Sequence, residues 1–206
     1  ARAALHRWEE PCLSGGNGAG TVFFSGCTLG CVFCQNASIS QEDFGKALTE
    51  DELYAAFARL ADQGASCIEL VTPTQFSHVL ARVLERPVPG NLPVVWNSGG
   101  YERVETLRTL EGRVDVYLPD LKYAAPELAA QYSGAADYPD AAKAAILEMY
   151  RQRGPVRLED GLLKSGVLIR HLILPGRVAE AKRVMDWAAE SFPPGSVLFS
   201  LMAQYT

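Results

Sequence analysis

This chain has no block of basic residues and no long apolar run. Its 19 Lys and Arg are scattered among 24 Asp and Glu, for a net charge of −5, so it offers nucleic acid no electrostatic footprint. No segment approaches the ~20 consecutive apolar residues of a membrane span. Residues 1–11 lack the apolar core of a secretory signal. There is no second cysteine pair, and His6, His78 and His171 lie far in sequence from the clustered cysteines. A structural zinc site normally wants four Cys or His ligands, commonly as two close pairs. Five cysteines, an odd number, with no leader argue against a disulfide framework. No repeat of fixed period and no low-complexity linker is visible. The N-terminus lacks an initiator Met, and the chain stops straight after an apparent strand. Both ends suggest trimming, the second a missing C-terminal piece. The expectation is a cytoplasmic protein whose 206 residues, 48% of them hydrophobic, build one core and one main domain.

What is present is a cysteine triplet. Cys27, Cys31 and Cys34 stand in a C-x3-C-x2-C run between Gly26 and Asn36. Three thiolates closing in one short loop suit three irons of a cubane cluster. Ferredoxin-type [4Fe-4S] sites use four cysteines, so a triplet leaves one iron open for chemistry. Three structural cysteines within eight residues, flanked by Gly26 and Gly30, would be poor core composition. Such a cluster makes the protein oxygen-sensitive. Cys67 begins an apolar strand and reads as a small buried hydrophobe. Cys12 lies in a Gly-rich loop near the triplet, where either a role beside the cluster or none is open.

Six strand-like runs alternate with helical patterns. The strands are expected at 21–24, 68–71, 94–97, 114–118, 167–174 and 197–202. Thr49-Glu50-Asp51-Glu52 is a capping box that opens a helix, with Leu53, Phe57 and Leu60 on its apolar face and Gly64 at its end. Phe76, Val79, Leu80, Val83 and Leu84 fit the i, i+3, i+4, i+7, i+8 helical template. An Ala-rich helix covers about 139–152, and another helix carries Ala181, Val184, Met185 and Ala188. Asp160-Gly161 between apolar runs predicts a hairpin. Near-continuous apolar strands alternating with helices argue for a parallel sheet covered by helices.

In such folds ligands bind beyond the carboxyl ends of the strands. Here those exits are polar and Gly-rich. They carry the cysteine loop, then Thr72 and Thr74, then Asn97, Ser98, Gly99 and Gly100, then Asp120 and Lys122. Arg170 and His171 interrupt the apolar fifth strand, and the sixth leads to Gln204 and Tyr205. All of these are expected to face one cavity.

The aromatic Phe33 before the third cysteine makes the triplet resemble the C-x3-C-x-aromatic-C motif of the radical S-adenosylmethionine (SAM) superfamily. The match extends to the activating enzymes of glycyl radical enzymes, of which pyruvate formate-lyase activating enzyme is the best known. Cys34-Gln35-Asn36 is similar to that family's Cys-His-Asn, and Asn97-Ser98-Gly99-Gly100-Tyr101 to its Asp-Thr-Asn-Gly-Phe. Asp120-Leu121-Lys122 reproduces its Asp-Leu-Lys. Residues 169–176, Ile-Arg-His-Leu-Ile-Leu-Pro-Gly, are similar to its Ile-Arg-Tyr-Val-Val-Val-Pro-Gly. The resemblance implies an α/β fold, a partial (β/α)6 barrel of parallel strands open on one side, over residues 21–206 after an N-terminal extension at 1–20. It implies a [4Fe-4S] cluster on Cys27, Cys31 and Cys34, with SAM chelating the open iron. Phe33 packs by the adenine, Asp120 and Lys122 address the ribose and methionine carboxylate region, and Arg170 and His171 line the SAM pocket. Thr72, Thr74, Asn97 and Ser98 complete that set. One-electron reduction by a flavodoxin or ferredoxin then cleaves SAM to a 5′-deoxyadenosyl radical, which takes hydrogen from a protein or peptide substrate.

Departures from the family are plain. Thr72-Pro73-Thr74 replaces its Gly-Gly-Glu, so a Thr hydroxyl or the Thr72 carbonyl is expected to accept from the SAM amino group. Asn97 replaces an Asp, which removes a charge and with it support for a monovalent cation. Asn17-Gly18-Ala19-Gly20 only loosely matches Asp-Gly-Pro-Gly. These changes suggest a divergent branch whose target need not be a glycyl radical enzyme. A small-molecule substrate, or an electron-transfer module without SAM turnover, are the competing readings. Structural readings compete residue by residue. Asp120 and Lys122 also read as a buried ion pair, Arg170 as a partner of Asp115 or Glu69, and His171 as facing the helix layer. His78 reads as a surface residue, and Trp8, Glu9 and Glu10 as a solvated N-terminal segment.

Overall fold

The computed structural model describes residues 2–42 and 45–204; Tyr205, expected at the last strand exit, lies outside them. The strands are β1 (Arg2–His6), β2 (Ala19–Phe23), β3 (Ile68–Val71), β4 (Val94–Ser98), β5 (Val116–Pro119), β6 (Arg157–Glu159), β7 (Leu162–Leu172) and β8 (Leu198–Met202). They form one sheet in the order β1-β2-β3-β4-β5-β7, and β7 carries both β6 and β8. Strands β2, β3, β4, β5, β7 and β8 run parallel to their neighbours. They are the expected six units of a partial barrel, and the sheet is not closed. β1 adds an antiparallel edge strand on β2, from Arg2 opposite Phe23 to His6 opposite Ala19.

The helices are α1 (Pro11–Ser14), α2 (Ala37–Ser40), α3 (Glu50–Asp62), α4 (Ser77–Val83), α5 (Val104–Arg108), α6 (Pro126–Ser133), α7 (Tyr138–Arg153) and α8 (Val178–Ser191). The capping box forms at α3: the Thr49 hydroxyl accepts from the Glu52 amide, and the Glu52 carboxylate accepts from the Thr49 amide. Leu53, Phe57 and Leu60 of that helix are buried.

Period-two alternation along the strands splits the molecule into two environments. One set of residues, including Val22, Ile68, Leu70, Trp96, Tyr117, Val167 and Ile169, packs with α3, α4, α7 and α8 in the main core. The other set faces the concave side. There Ala19, Cys67, Val95, Val116 and Leu168 meet Leu13 of α1 in a second apolar cluster, the floor of the half-barrel. One pleat further along the same strands the concave face turns polar, with Thr21, Glu69, Asn97 and Arg170. The floor thus supports the site without contributing to its chemistry.

Three sequence expectations need amendment. The fifth strand begins at Leu162, because its first residues pair with β6 across the Asp160-Gly161 turn while Leu168–Leu172 pair with β8. α6 was not expected; at eight residues it is too short for a helical period, although Pro126 at its start and Gly134 in the left-handed C-terminal position are ordinary helix punctuation. Residues 2–14 are not a loose segment: they contribute β1 and α1, with Leu13 only 2% exposed.

Truncating Leu13 to Ala should therefore hollow the floor. We expect a loss of about 2–4 kcal/mol, the usual range for a buried Leu, read as a lowered urea midpoint. An unchanged midpoint would show that α1 is not part of the fold's core.

Candidate functional site

The strand exits enclose a cavity of about 630 Å³, a size typical of small-molecule sites. Cys27, Cys31 and Cys34 all line it. The cysteine loop between β2 and α2 is held from several sides. Gln75 reaches up from the turn after β3, its Nε2 lying 2.8 Å from the Ser25 and Gly26 carbonyls and 2.9 Å from that of Thr72. The Val32 amide donates to the Tyr132 carbonyl at 2.9 Å, which staples the loop to the end of α6. Each thiol has its own partner. The Leu29 amide donates to Cys27 Sγ at 3.4 Å, Ser133 Oγ lies 2.9 Å from Cys31 Sγ, and Ser40 Oγ lies 3.2 Å from Cys34 Sγ. Cys31 is buried and the other two are half-buried. Among the described residues no three acidic, Cys or His side chains converge as a single ion would require; in a cubane each thiolate takes a different iron. Three thiols lining one cavity, with no fourth cysteine in its lining among the described residues, fit a cluster with an open iron.

The same cavity holds a hydrogen-bonded chain of charged groups. Asp120 accepts from Lys122 Nζ at 2.5 Å and from Arg170 Nε at 3.0 Å. Burial alone would raise the Asp120 carboxyl; Lys122 and Arg170 overcome that and hold it below the usual range. Arg170 also donates to Asn97 Oδ1 at 2.7 Å and lies 3.5 Å from Glu9 Oε1. Asn97 Nδ2 in turn donates to Glu69 Oε1 at 2.6 Å, and Thr21 donates to Glu69 Oε2 at 2.7 Å. Glu69 is fully buried. Burial, followed by the negative charge of Glu9, pushes its carboxyl from the ordinary 4.5 up to about 8. The protonated form is therefore favoured well above the ordinary carboxylate range, with Glu9 disfavouring a second negative charge beside it.

Two further groups shape the exits. Tyr138 Oη lies 2.8 Å from the Gly99 carbonyl, 2.7 Å from the Asp120 carbonyl and 2.9 Å from the Lys122 amide, which donates to it. It ties the β4 exit to the β5 exit. Glu102 accepts from Trp96 Nε1, Ser98 Oγ and Thr74 Oγ1 at 2.8, 2.7 and 3.0 Å. Gly100 has φ +77°, and a Cβ there would run into the Asp120 carbonyl. Glycine is needed for that close approach of the two exits.

The cavity brings together Phe33, Thr72, Asn97, Ser98, Asp120, Lys122 and Arg170 from the expected set. Thr74 and His171 are outside it. Thr74 spends its hydroxyl on Glu102. His171 follows Arg170 by one residue, so alternation turns it to the outer face, where Nδ1 donates to the Leu121 carbonyl at 2.6 Å. Burial lowers its pKa. Thr72 lines the cavity at φ +57°, rare for a β-branched residue and the kind of backbone the glycines of the related motif adopt freely. Its carbonyl already accepts from Gln75.

Other expectations resolve as follows. Arg170 pairs with Asp120, Asn97 and Glu9, whereas Asp115 pairs with Arg153. Glu9 is not solvated: its side chain is only 10% exposed. Trp8, in contrast, is 91% exposed at the cavity rim. Cys12 packs against the floor cluster, off the cavity, and buried Cys67 has its thiol pushed up to about 12 by burial. His78 is exposed. Sequence reasoning passed over Glu102, Ser133 and Tyr138. For Glu69 a signal existed, since an acidic residue inside an apolar parallel strand must find partners.

The pattern that defines the radical SAM superfamily matches residues 21–202. The chain belongs to that superfamily. Radical SAM proteins use a [4Fe-4S] cluster and SAM, and the cavity supplies donors for both. The chain is 30% identical over 210 residues to the uncharacterised protein MJ0674 of Methanocaldococcus jannaschii, covering 98% of this chain and 56% of that one. It thus spans about half the length of the curated relative it matches. Among solved structures it is similar to Streptococcus suis SuiB (TM-score 0.62, 13% identity, 90% of this chain and 41% of that one). Methylornithine synthase PylB (0.58, 16%, 90% and 55%) and the [FeFe]-hydrogenase maturase HydG (0.60, 13%, 90% and 43%) are similar in the same way. At such identities the likeness shows a shared radical SAM fold. No helix among the described residues is long and apolar enough to cross a membrane.

The Glu69 proton gives a pH signature. In the unfolded chain its carboxyl returns to an ordinary value, so the folded state holds the proton more tightly. The stability this contributes is complete below about pH 4.5 and is lost as pH rises through about 8. The slope is up to about 1.4 kcal/mol per pH unit. Glu69→Gln keeps an acceptor for Asn97 and removes the titration. Urea midpoints taken anaerobically across this range should fall with pH for the native protein and flatten for the variant. Equal slopes would exclude Glu69 as the titrating group.

Proposed function

We propose that this radical SAM domain generates a 5′-deoxyadenosyl radical and applies it to a protein or peptide, as the activating enzymes of glycyl radical enzymes do. The observation that carries the reading is the unclosed sheet. β1 is one edge and β7, carrying β6 and β8, ends the other, and the cavity between β1 and β8 is rimmed by exposed Trp8, Gln35 and Leu201. A lateral opening of this kind admits a polypeptide loop as readily as a small molecule. SuiB, which shares the fold, has been solved bound to its precursor peptide SuiA. The Asp120-Leu121-Lys122 and Ile169-Arg170-His171 motifs support the activating-enzyme branch.

When bound, the cluster supplies the electron that cleaves SAM. The rest falls to the chain's own residues. Cys27, Cys31 and Cys34 would hold the cluster and leave one iron open to SAM. Lys122 and Arg170, both kept charged by Asp120, supply the positive field for a methionine carboxylate. The Phe33 ring, which meets Tyr123 edge-on at 6.4 Å, offers an apolar wall for the adenine. Thr72 and Gly99 line the cavity wall, where they would stand beside the polar groups of a bound SAM. Leu29, Val71 and Leu172 line the same cavity and exclude water from a reactive radical. Hydrogen abstraction asks for no general base. An electron carrier of the flavodoxin or ferredoxin kind is the proposed reductant.

The test is anaerobic. Protein reconstituted with iron and sulfide, reduced and given SAM should release 5′-deoxyadenosine, and replacing all three of Cys27, Cys31 and Cys34 by Ala should abolish it. Cell extract split by ultrafiltration then separates the substrate classes. Stimulation by the retained, macromolecular fraction and its loss after protease treatment are expected. Stimulation by the low-mass filtrate alone would overturn the protein-substrate reading.

A further inference from the structure

Cys31 differs from the other two cluster cysteines in what stands behind it. Cys27 receives only a long backbone contact, and Cys34 faces Ser40 on the neighbouring turn. Cys31 is 8% exposed and is met by a side chain 102 residues away, Ser133 Oγ at 2.9 Å. Ser133 is itself met by Tyr123 Oη at 2.7 Å. The direction of these bonds follows from proton count. A thiolate is only an acceptor, and a serine hydroxyl has one hydrogen. With Cys31 ionised on iron, Ser133 gives that hydrogen to sulfur, and Tyr123 must donate to Ser133.

The path is rigid. Tyr123 is fully buried, Ser133 is 4% exposed, and the Tyr123 ring is edge-on to Tyr138 at 5.5 Å and stacked on Tyr132 at 6.4 Å. The Val32–Tyr132 backbone bond holds the cysteine loop against the residue preceding Ser133. The serine hydroxyl therefore has little freedom to turn away.

We propose that Tyr123 and Ser133 form a two-step hydrogen-bond relay onto Cys31 that raises the reduction potential of the [4Fe-4S] cluster. Adding an electron places more negative charge on the thiolate sulfurs. A fixed donor stabilises that charge more than it stabilises the oxidised cluster, and hydrogen bonds to sulfur and burial are established levers on such potentials. Tyr123 strengthens the effect by polarising the Ser133 hydroxyl. These are positioning residues: Tyr123 contacts neither iron nor substrate, and Ser133 touches only the ligand sulfur. The relay rests on the family's cluster and is independent of the proposed substrate class.

An EPR-monitored redox titration without SAM or any partner protein reads this directly. The proteins are the reconstituted native chain, Ser133→Ala, Ser133→Thr and Tyr123→Phe, each with its iron and sulfide content measured. Ser133→Ala should titrate at a more negative potential, by several-fold to tenfold in the reduction equilibrium, tenfold being about 59 mV for one electron. Tyr123→Phe should shift the same way by less, and Ser133→Thr, which keeps a hydroxyl, should return toward the native value. Ser133→Ala at the native potential with full cluster content would overturn the relay. If Ser133→Ala fails to hold a cluster, Tyr123→Phe decides: a negative shift supports the relay and no shift overturns it. A native chain that takes up no cluster would remove both the relay and the radical SAM activity. A native chain that shows the relay but yields no stimulated turnover would leave the relay standing and count only against the substrate reading.

Discussion

The site depends on one carboxylate. Asp120 lies between Lys122 and Arg170, and two cations and an anion in so little solvent are stable only together. Removing one member of such a buried set leaves uncompensated charge, typically a loss of several kcal/mol. The set also has mechanical reach. Through Arg170 it connects β5 to β7, through Asn97 it reaches β4, and through Glu69 and Thr21 it reaches β3 and β2. A polar chain crosses the concave face where a closed barrel would have packed side chains, and it ties the strands together at their exits. The raised carboxyl of Glu69 is part of that balance, since burial and the neighbouring Glu9 both disfavour a further negative charge there.

Around this chain the molecule divides its tasks by pleat. Outward residues bury themselves against helices, while inward residues first make an apolar floor and then a polar wall. Tyr138 and Glu102 act at the seam: each gathers two exit segments, the first through backbone atoms of Gly99, Asp120 and Lys122, the second through Trp96, Ser98 and Thr74 side chains. The exit segments are thereby tied to one another, as a site that positions a cluster and a small charged cofactor requires.

Much of this was legible in the residues because the relevant signals are short in range. The cysteine spacing, the capping box at Thr49, the Asp-Gly turn and the apolar strands each depend on a few neighbouring positions. Period-two alternation also distinguishes Arg170 from His171, yet assigning a face needs the register of the sheet, so His171 was grouped with the cavity and lies behind it. Thr74 was misplaced for a related reason: the strand ends at Val71, and the turn that follows points its hydroxyl at Glu102. What remained hidden depends on long-range approach. Ser133 sits in a two-turn helix with no readable period, and nothing near it in sequence announces Cys31. Glu9 looked like part of a polar segment because its partner Arg170 lies at the far end of the chain.

That last contact has a consequence for how the protein is made. Glu9 and Arg170 are 161 residues apart, and α1 packs against β7. During synthesis the N-terminal strand can pair early with β2, a local event. The floor and the far wall of the half-barrel must wait until β7 has left the ribosome, and closing so long a loop is the slow class of folding event. Until then Leu13 lacks its neighbours Leu163 and Leu168, and the cavity lacks Arg170. Chain topology thus makes completion of the cavity around the cysteine motif depend on the last strands.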